Sequence, residues 1–174
     1  MASSKYIHYI HTAGALAVFL YGLRDVHTLG LKTVMYDSVP NITGLRQRIH
    51  DTCLRWGVHY IVDILAGLHF ADLSIVYRHH LPSIIPLLTG WYYLYPQVII
   101  ATLLEGMALT NLLRIFKWRR TAYWIRMLVG YPLLRWPILY SVSTRTTSRV
   151  IRFCAIFVFA HDLYIIYLLH KKKS

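Results

Sequence analysis

Cysteine is scarce in this chain of 174 residues. Only two cysteines are present, Cys53 and Cys154, and neither belongs to a CxxC pair. The sequence therefore predicts no disulfide framework, and we expect both thiols to be reduced and structural.

Acidic residues are also few, with 7 Asp and Glu against 19 Lys and Arg, which gives a net charge of +12. In a soluble protein this excess would indicate nucleic acid as the partner. Here the bases lie mainly at the ends of apolar blocks, where each gains about 1 kcal/mol from anionic headgroups. They are Arg46, Arg48, Arg55, Lys117, Arg119, Arg120, Arg145, Arg149 and Lys171 to Lys173. We therefore expect membrane lipids, not nucleic acid, as partners.

Long polar stretches are absent apart from residues 24–55, and we find no repeat, linker or second domain. The sequence predicts one domain over residues 1–174. The polar connection contains Asn41-Ile42-Thr43, a glycosylation sequon if this loop is lumenal. The terminal Lys171-Lys172-Lys173 resembles a dilysine retrieval signal of endoplasmic reticulum membrane proteins, with a basic flank of the last helix as the equal alternative.

Apolar residues are abundant, at 56% of the chain against the about 45–50% that is usual for soluble domains. They form blocks that approach or exceed the roughly 20 residues that cross a bilayer. The blocks are Tyr6 to Leu23, Gly57 to Tyr77, Ser83 to Phe116, Tyr123 to Val142 and Val150 to Leu169. Pro86 and the Tyr95-Pro96 step are expected to divide the long third block. The predicted fold is an all-α, polytopic integral membrane protein with about six, alternatively five, transmembrane helices in a single bundle.

Ionisable groups interrupt these blocks, although each charge at mid-bilayer costs about 2.5–3.5 kcal/mol on insertion scales. If one helix continued from His69 to His79, then His69, Asp72 and His79 would form one polar stripe. His59 and Asp63, four residues apart, form a second pair. Such groups could pair across helices and fix the packing, or a histidine beside an acid could act as a general base.

Metal and haem sites find little support in the spacing of the histidines. The sequence has no HExxH, no HxxxH and no set of four ligands, so we expect no metal and no cofactor beyond a bound phospholipid. A haem held by His59 with His69 or His161 is a weaker alternative.

One spacing resembles a known family. Asp72, six further residues and then His79-His80 are similar to the central signature of the TLC-domain family, which includes the ceramide synthases and smaller proteins tied to membrane lipid composition. Other segments agree in order along nearly the whole chain. They are Tyr6-Ile7-His8, Tyr36 to Pro40, Val58 to Leu65, Leu103-Leu104-Glu105 with Asn111 and Arg114, and Arg135-Trp136-Pro137.

The chain departs from the family at two places. The residues after Glu105 lack the serine and proline of the smaller members, and the acidic histidine-containing cluster of the synthases is missing downstream of the histidine pair. The resemblance therefore implies one of the small non-synthase members. It also implies lipid-binding roles for Asp72, Arg78, His79, His80, Glu105, Arg114 and Arg135.

The resulting hypothesis is a TLC-like membrane protein that binds, senses or remodels lipids through a polar intramembrane pocket. We favour a non-catalytic protein; if there is a reaction, His79 or His80 would be the general base of an acyl transfer to a lipid. The alternative is an accessory structural subunit of a large membrane complex, such as a mitochondrial respiratory or ATP synthase assembly, with bound anionic lipid. The expected location is the endoplasmic reticulum or the mitochondrial inner membrane.

Overall fold

The computed structural model describes residues 3–35, 44–146 and 148–171, and within these ranges it contains helices and no β-strand. The prediction of an all-α chain is confirmed for this part of the protein. The sequon Asn41-Ile42-Thr43 and the terminal Lys172 and Lys173 lie outside the described residues. So do the side chains of Arg78 and His79, whose backbone is helical.

Nine α-helices, some joined directly by tighter or looser turns, make up the described part of the chain. They are α1 (Ser3–Leu29), α2 (Leu31–Val34), α3 (Leu45–His69), α4 (Leu81–Tyr93), α5 (Gln97–Ala101), α6 (Leu109–Ile115), α7 (Arg119–Ile125), α8 (Trp136–Arg145) and α9 (Arg149–Lys171). A π-helical segment, Val76–His80, leads into α4, and another, Arg126–Arg135, joins α7 to α8. A 3₁₀ segment, Thr102–Ala108, joins α5 to α6.

Two segments are both long and apolar enough to be candidate membrane spans, namely Gln97–Ile115 and Arg149–Leu168. The first falls within the predicted block Ser83 to Phe116, and the second begins one residue before the predicted block Val150 to Leu169. They support association with a membrane, and they are fewer than the six spans that the sequence predicts.

The helix boundaries correct two expectations. The predicted block Gly57 to Tyr77 is not one helix, because α3 starts at Leu45 and ends at His69, and Ala71 beyond it is left-handed with φ 53°. The long third block is broken at Leu94, also left-handed, just before the N-cap Pro96 of α5. Pro86 does not break the block, since it lies inside α4.

Helix α1 packs between α3 and the 3₁₀ segment, and α9 packs against α8 and α4. Two glycines permit the close approach of α1 to its neighbours. A Cβ atom built on Gly14 would lie 2.1 Å from Nδ1 of His59, and one on Gly22 would lie 1.8 Å from Oγ1 of Thr102. Such distances are far below van der Waals contact, so only hydrogen fits at these positions.

The distribution of polarity is unusual for a globular chain. The carboxylates of Asp25, Asp63, Glu105 and Asp162 are buried. Large apolar side chains cover much of the outer surface of the described helices, among them Leu20, Leu65, Leu68, Leu128, Leu133, Phe153 and Ile156. Scattered exposed apolar residues are ordinary, but an outer surface with this many indicates contact with lipid or with another protein.

Candidate functional site

A cluster of three histidines and one aspartate lies where α1, α3 and the first π-helical segment meet. Both Nδ1 of His11 and Nε2 of His80 lie 2.7 Å from Oδ2 of Asp63, so each ring can donate an N–H to this oxygen. Nε2 of His59, one helical turn before Asp63, lies 3.7 Å from the same atom. The side chains are 13% (His11), 2% (His59), 0% (Asp63) and 3% (His80) exposed. We call these four residues the histidine cluster.

His59 is the exceptional member of the histidine cluster. Neither of its ring nitrogens makes a hydrogen bond within the described residues, and Oδ1 of Asp63 also lacks one there. The separation of 3.7 Å from Asp63 is too long for a hydrogen bond. Nδ1 of His59 faces Gly14 of α1, which leaves Nε2 directed toward Asp63.

A polar cavity of about 250 Å³ begins at His11 and extends between α1, the 3₁₀ segment, α6 and the second π-helical segment. Three arginines line it, Arg114, Arg126 and Arg135, together with Asn111 and Asp162. We call this space the polar cavity.

Arg126 carries a charge that no carboxylate balances in the described structure. Its guanidinium donates to Oγ1 of Thr110 and to Oδ1 of Asn111, both of which are neutral oxygens. Arg114 likewise lines the polar cavity without a carboxylate within salt-bridge distance among the described residues. Arg126, which is partly buried, and Arg114, which is exposed, thus bring two cations without a carboxylate partner to one space, which suits an anion.

Arg135 has a different environment from the other two arginines. Its guanidinium makes a bidentate pair with Asp162, through Nε–Oδ2 at 2.9 Å and Nη2–Oδ1 at 2.7 Å. Its Nη1 also donates to the backbone carbonyl of Leu104 at 3.1 Å. The prediction that Arg135 holds a phosphate or carboxylate of a ligand therefore needs revision, because these hydrogen bonds already join α9 to the second π-helical segment and the 3₁₀ segment.

An apolar cavity of about 90 Å³ adjoins the polar cavity, and Leu104, Glu105 and Arg135 line both. Its other walls are mostly apolar, including Leu139 and Val142 of α8. Glu105, at the junction, accepts a hydrogen bond from Nε1 of Trp56 at 3.2 Å, which agrees with the expectation that it finds a partner on a neighbouring helix. A basic space thus adjoins an apolar one, with three wall residues in common.

The residues predicted as a site are only partly brought together. His80 lies in the histidine cluster, whereas Glu105, Arg114 and Arg135 line the polar cavity. Asp72 lies beyond the end of the helix that carries His69, because α3 ends at His69; its Oδ1 accepts the backbone N–H of Ser74 at 3.0 Å in the turn that follows.

Three residues of the candidate site are not identified from the sequence, or are assigned a different partner by it. The sequence alone gives no role to His11, although its position three residues after His8 places both imidazoles on one side of α1. The spacing pairs Asp63 with His59, whereas the strongest contacts of Asp63 are with His11 and His80. The sequence does not single out Arg126, because nothing in its local sequence separates it from Arg135.

A further cluster, toward the C-terminal end of α1, contains some of the bases that lie at the ends of the apolar blocks. Asp25 is fully buried and pairs with Arg24, Arg48 and Arg55 at 3.1, 2.9 and 3.3 Å. Arg48 and Arg55 were expected to face anionic headgroups. They instead bind this carboxylate and fasten α1 to α3.

The chain matches no family model, and no curated protein or solved structure is similar enough to it to count as a match. The resemblance to the TLC-domain family therefore depends on the order of the motifs along the chain and stays a prediction.

Proposed function

We propose that this protein is a TLC-like integral membrane protein that binds an anionic lipid in the joined polar and apolar cavities. The phosphate or carboxylate of the lipid would lie between Arg114 and Arg126, and part of an acyl chain would lie against Leu139 and Val142. The observation that carries the proposal is Arg126, whose guanidinium contacts only neutral oxygens in the described structure and faces the polar cavity.

The chemistry of the cavity supports this choice of ligand. Guanidinium groups match the oxygens of phosphate and carboxylate with two parallel hydrogen bonds, and such charge-assisted bonds are the strong ones. A free small anion would need only the polar cavity. A lipid also uses the apolar cavity that adjoins it through Leu104, Glu105 and Arg135.

Six membrane-spanning segments are part of the proposal. The directly joined pieces form six helical segments, residues 3–29, 45–69, 76–93, 97–115, 119–145 and 149–171. Each is close to or above the roughly 20 residues that a bilayer requires, and exposed large apolar side chains occur on all of them, including Leu109 on 97–115. The endoplasmic reticulum and the mitochondrial inner membrane are the two compartments we propose.

We propose binding and not catalysis, because the acidic histidine-containing cluster of the synthases is missing downstream of the histidine pair. His80, the described member of the histidine pair, contacts Asp63 in the histidine cluster. Among the described residues that line the polar cavity, Arg114 and Arg126 are the cations without a carboxylate partner.

The test is the lipid content of the purified protein. The full chain is extracted in mild detergent, and bound lipids are identified by native mass spectrometry for the wild type, Arg126→Gln and Arg149→Gln. Arg149 is exposed and lines neither cavity, so its variant controls for loss of one positive charge. We expect Arg126→Gln to reduce retained anionic lipid by roughly tenfold or more, since a hydrogen bond to a charged group contributes about 1.5–3 kcal/mol. An equal lipid complement in all three proteins would contradict the proposal.

The exposed apolar surface also suits an accessory subunit of a large membrane complex, which is the second candidate. Blue-native electrophoresis of the protein in its own membrane separates the two functions. A free-standing lipid-binding protein migrates as a monomer or small oligomer. Migration only within a very large complex would favour the subunit.

A further inference from the structure

The histidine cluster has the composition of a metal site. Its four donor atoms, three imidazole nitrogens and one carboxylate oxygen, all lie within 4.8 Å of one another. The donors come from three separate parts of the chain, so no sequence motif of fixed spacing contains them. We propose that His11, His59, Asp63 and His80 bind one divalent transition-metal cation, with Zn²⁺ as the best match. This inference does not depend on the proposed lipid function.

His59 provides the observation that separates a metal site from a plain hydrogen-bonded cluster. In a cluster without metal, the carboxylate of Asp63 accepts one hydrogen bond from His11 and one from His80. His59 would then be a buried imidazole with no hydrogen bond at either nitrogen in the described residues. Buried polar groups are normally paired, and an unpaired one needs an explanation such as an ion. A cation bound by Nε2 supplies it.

The distances allow a tetrahedral cation after a small adjustment. Four donors about 2.1 Å from a cation lie roughly 3.4 Å from one another. Oδ2 of Asp63 lies 2.7 Å from the donor atoms of His11 and His80 and 3.7 Å from that of His59. The separations from Oδ2 bracket that value, and no two of the four donors lie more than 4.8 Å apart, so side-chain movements of roughly 1 Å would bring the set to a tetrahedral arrangement. The cation would replace the two hydrogen bonds that Oδ2 accepts from His11 and His80.

The donor set selects the class of metal. Imidazole nitrogen suits zinc, copper, iron and nickel, whereas magnesium and calcium prefer all-oxygen ligands. Neutral imidazoles with one carboxylate carry a charge of −1, which a divalent cation offsets in these buried surroundings. His11 also lines the polar cavity, so the cation would lie beside the space proposed for the anion.

The surrounding packing restricts the geometry of the donors. Gly14 lets the ring of His59 lie directly against α1, because any side chain there would collide with Nδ1. The ring of His80 packs on that of Tyr60, with centroids 4.0 Å apart. Ligands fixed in this way bind a metal with less loss of side-chain freedom.

Cobalt is the probe, because tetrahedral Co²⁺ with nitrogen and oxygen ligands absorbs visible light and Zn²⁺ displaces it. The full-length protein is purified in detergent, stripped with a chelator, and titrated with Co²⁺ for the wild type, His59→Gln and His69→Gln. His69 is an exposed histidine of the same helix and is the matched control. Size-exclusion chromatography and circular dichroism in chelator check that each variant is folded.

We expect the wild type to bind one Co²⁺ per chain with a visible absorption band that Zn²⁺ abolishes. His59→Gln should weaken the affinity on the order of 100-fold or more, since even partners outside the ligand set typically cost 10–100-fold. His69→Gln should bind as the wild type does. Because the His59 side chain makes no hydrogen bond to any described residue, we expect its variant to fold.

Two results would overturn the metal site. One is a wild-type titration in which the visible absorption does not saturate at one Co²⁺ per chain. This result does not depend on whether any variant folds. The other is binding that His59→Gln leaves unchanged, which would assign the cobalt to exposed imidazoles. Loss of lipid in Arg126→Gln is unaffected by either result, so the two proposals fail independently.

Discussion

His80 and Asp63, 17 residues apart in the chain, are joined by a hydrogen bond of 2.7 Å between Nε2 and Oδ2. This contact fixes the first π-helical segment against α3, and the equal bond from His11 fixes α1 to the same oxygen. Asp63 is therefore the point at which three parts of the chain meet.

Replacement of Asp63 should destabilise the bundle strongly. In Asp63→Ala the N–H groups of His11 and His80 lose a charged acceptor in a buried place, and we expect a loss of about 3 kcal/mol or more. Thermal unfolding in detergent with a chelator present measures this without metal. Asp51→Ala is the control, because Asp51 lies on the same helix and its side chain accepts a bond only from Gln47 at the surface. Equal melting temperatures for the two variants would contradict the central place of Asp63.

Gly14 should tolerate no side chain. A Cβ atom there would lie 2.1 Å from Nδ1 of His59, so Gly14→Ala must push α1 from α3 or turn the imidazole. Overpacking of this kind costs about 1–3 kcal/mol. Gly57→Ala, in the interior of α3 with no atom within 4 Å of its added carbon, should instead gain about 0.5–1 kcal/mol. Melting temperatures that move in the same direction would refute the close approach of the two helices.

The Asp25 cluster should show a graded response. Asp25→Ala leaves Arg48 and Arg55 without their buried carboxylate, which typically costs about 3–5 kcal/mol. Arg24→Ala should cost less than about 1 kcal/mol, because the Arg24 side chain is 58% exposed. The pair of melting curves tests whether these arginines fasten α1 to α3. If Arg24→Ala proved as damaging as Asp25→Ala, the assignment would be wrong.

Lys117 offers a stabilising change. It ends the fourth helical segment at φ 67°, in the left-handed region, and its side chain is exposed. A non-glycine residue there costs about 1–2 kcal/mol, so Lys117→Gly should raise the melting temperature. Lys117→Ala removes the same charge but keeps the strained backbone, and it should not. A rise with both variants would point to charge and not to conformation.

Helix content was predictable because an apolar block long enough to cross a bilayer must satisfy its own backbone hydrogen bonds, which a helix does. The break at Pro96 was predictable for the same local reason, since proline restricts the residue before it. The end of α3 was not, because His69, Phe70 and Ala71 include no proline or glycine, and Ala71 takes the left-handed conformation that glycine usually supplies at a helix end. The continuous helix from His69 to His79 on which the predicted stripe depends is therefore interrupted.

The histidine cluster could not be predicted from the local sequence for a different reason. His59 and Asp63 share a face of α3 by spacing, and this pair was predicted. Which of ten histidines would meet them depends on how α1 lies across α3, and Gly14 decides that only through the tertiary contact. In the same way Arg126 and Arg135 look alike in sequence, and Asp162 on α9 distinguishes them.

Photo-crosslinking tests the lipid proposal most directly. The full chain is incubated in vesicles with a phosphatidic acid that carries a diazirine in its acyl chain, irradiated, and mapped by mass spectrometry. The account predicts adducts on residues that line the apolar cavity, Leu139 and Val142, and their loss in Arg126→Gln. Adducts confined to the outer surface, at residues such as Leu65 and Leu128, and equal in both proteins, would contradict it.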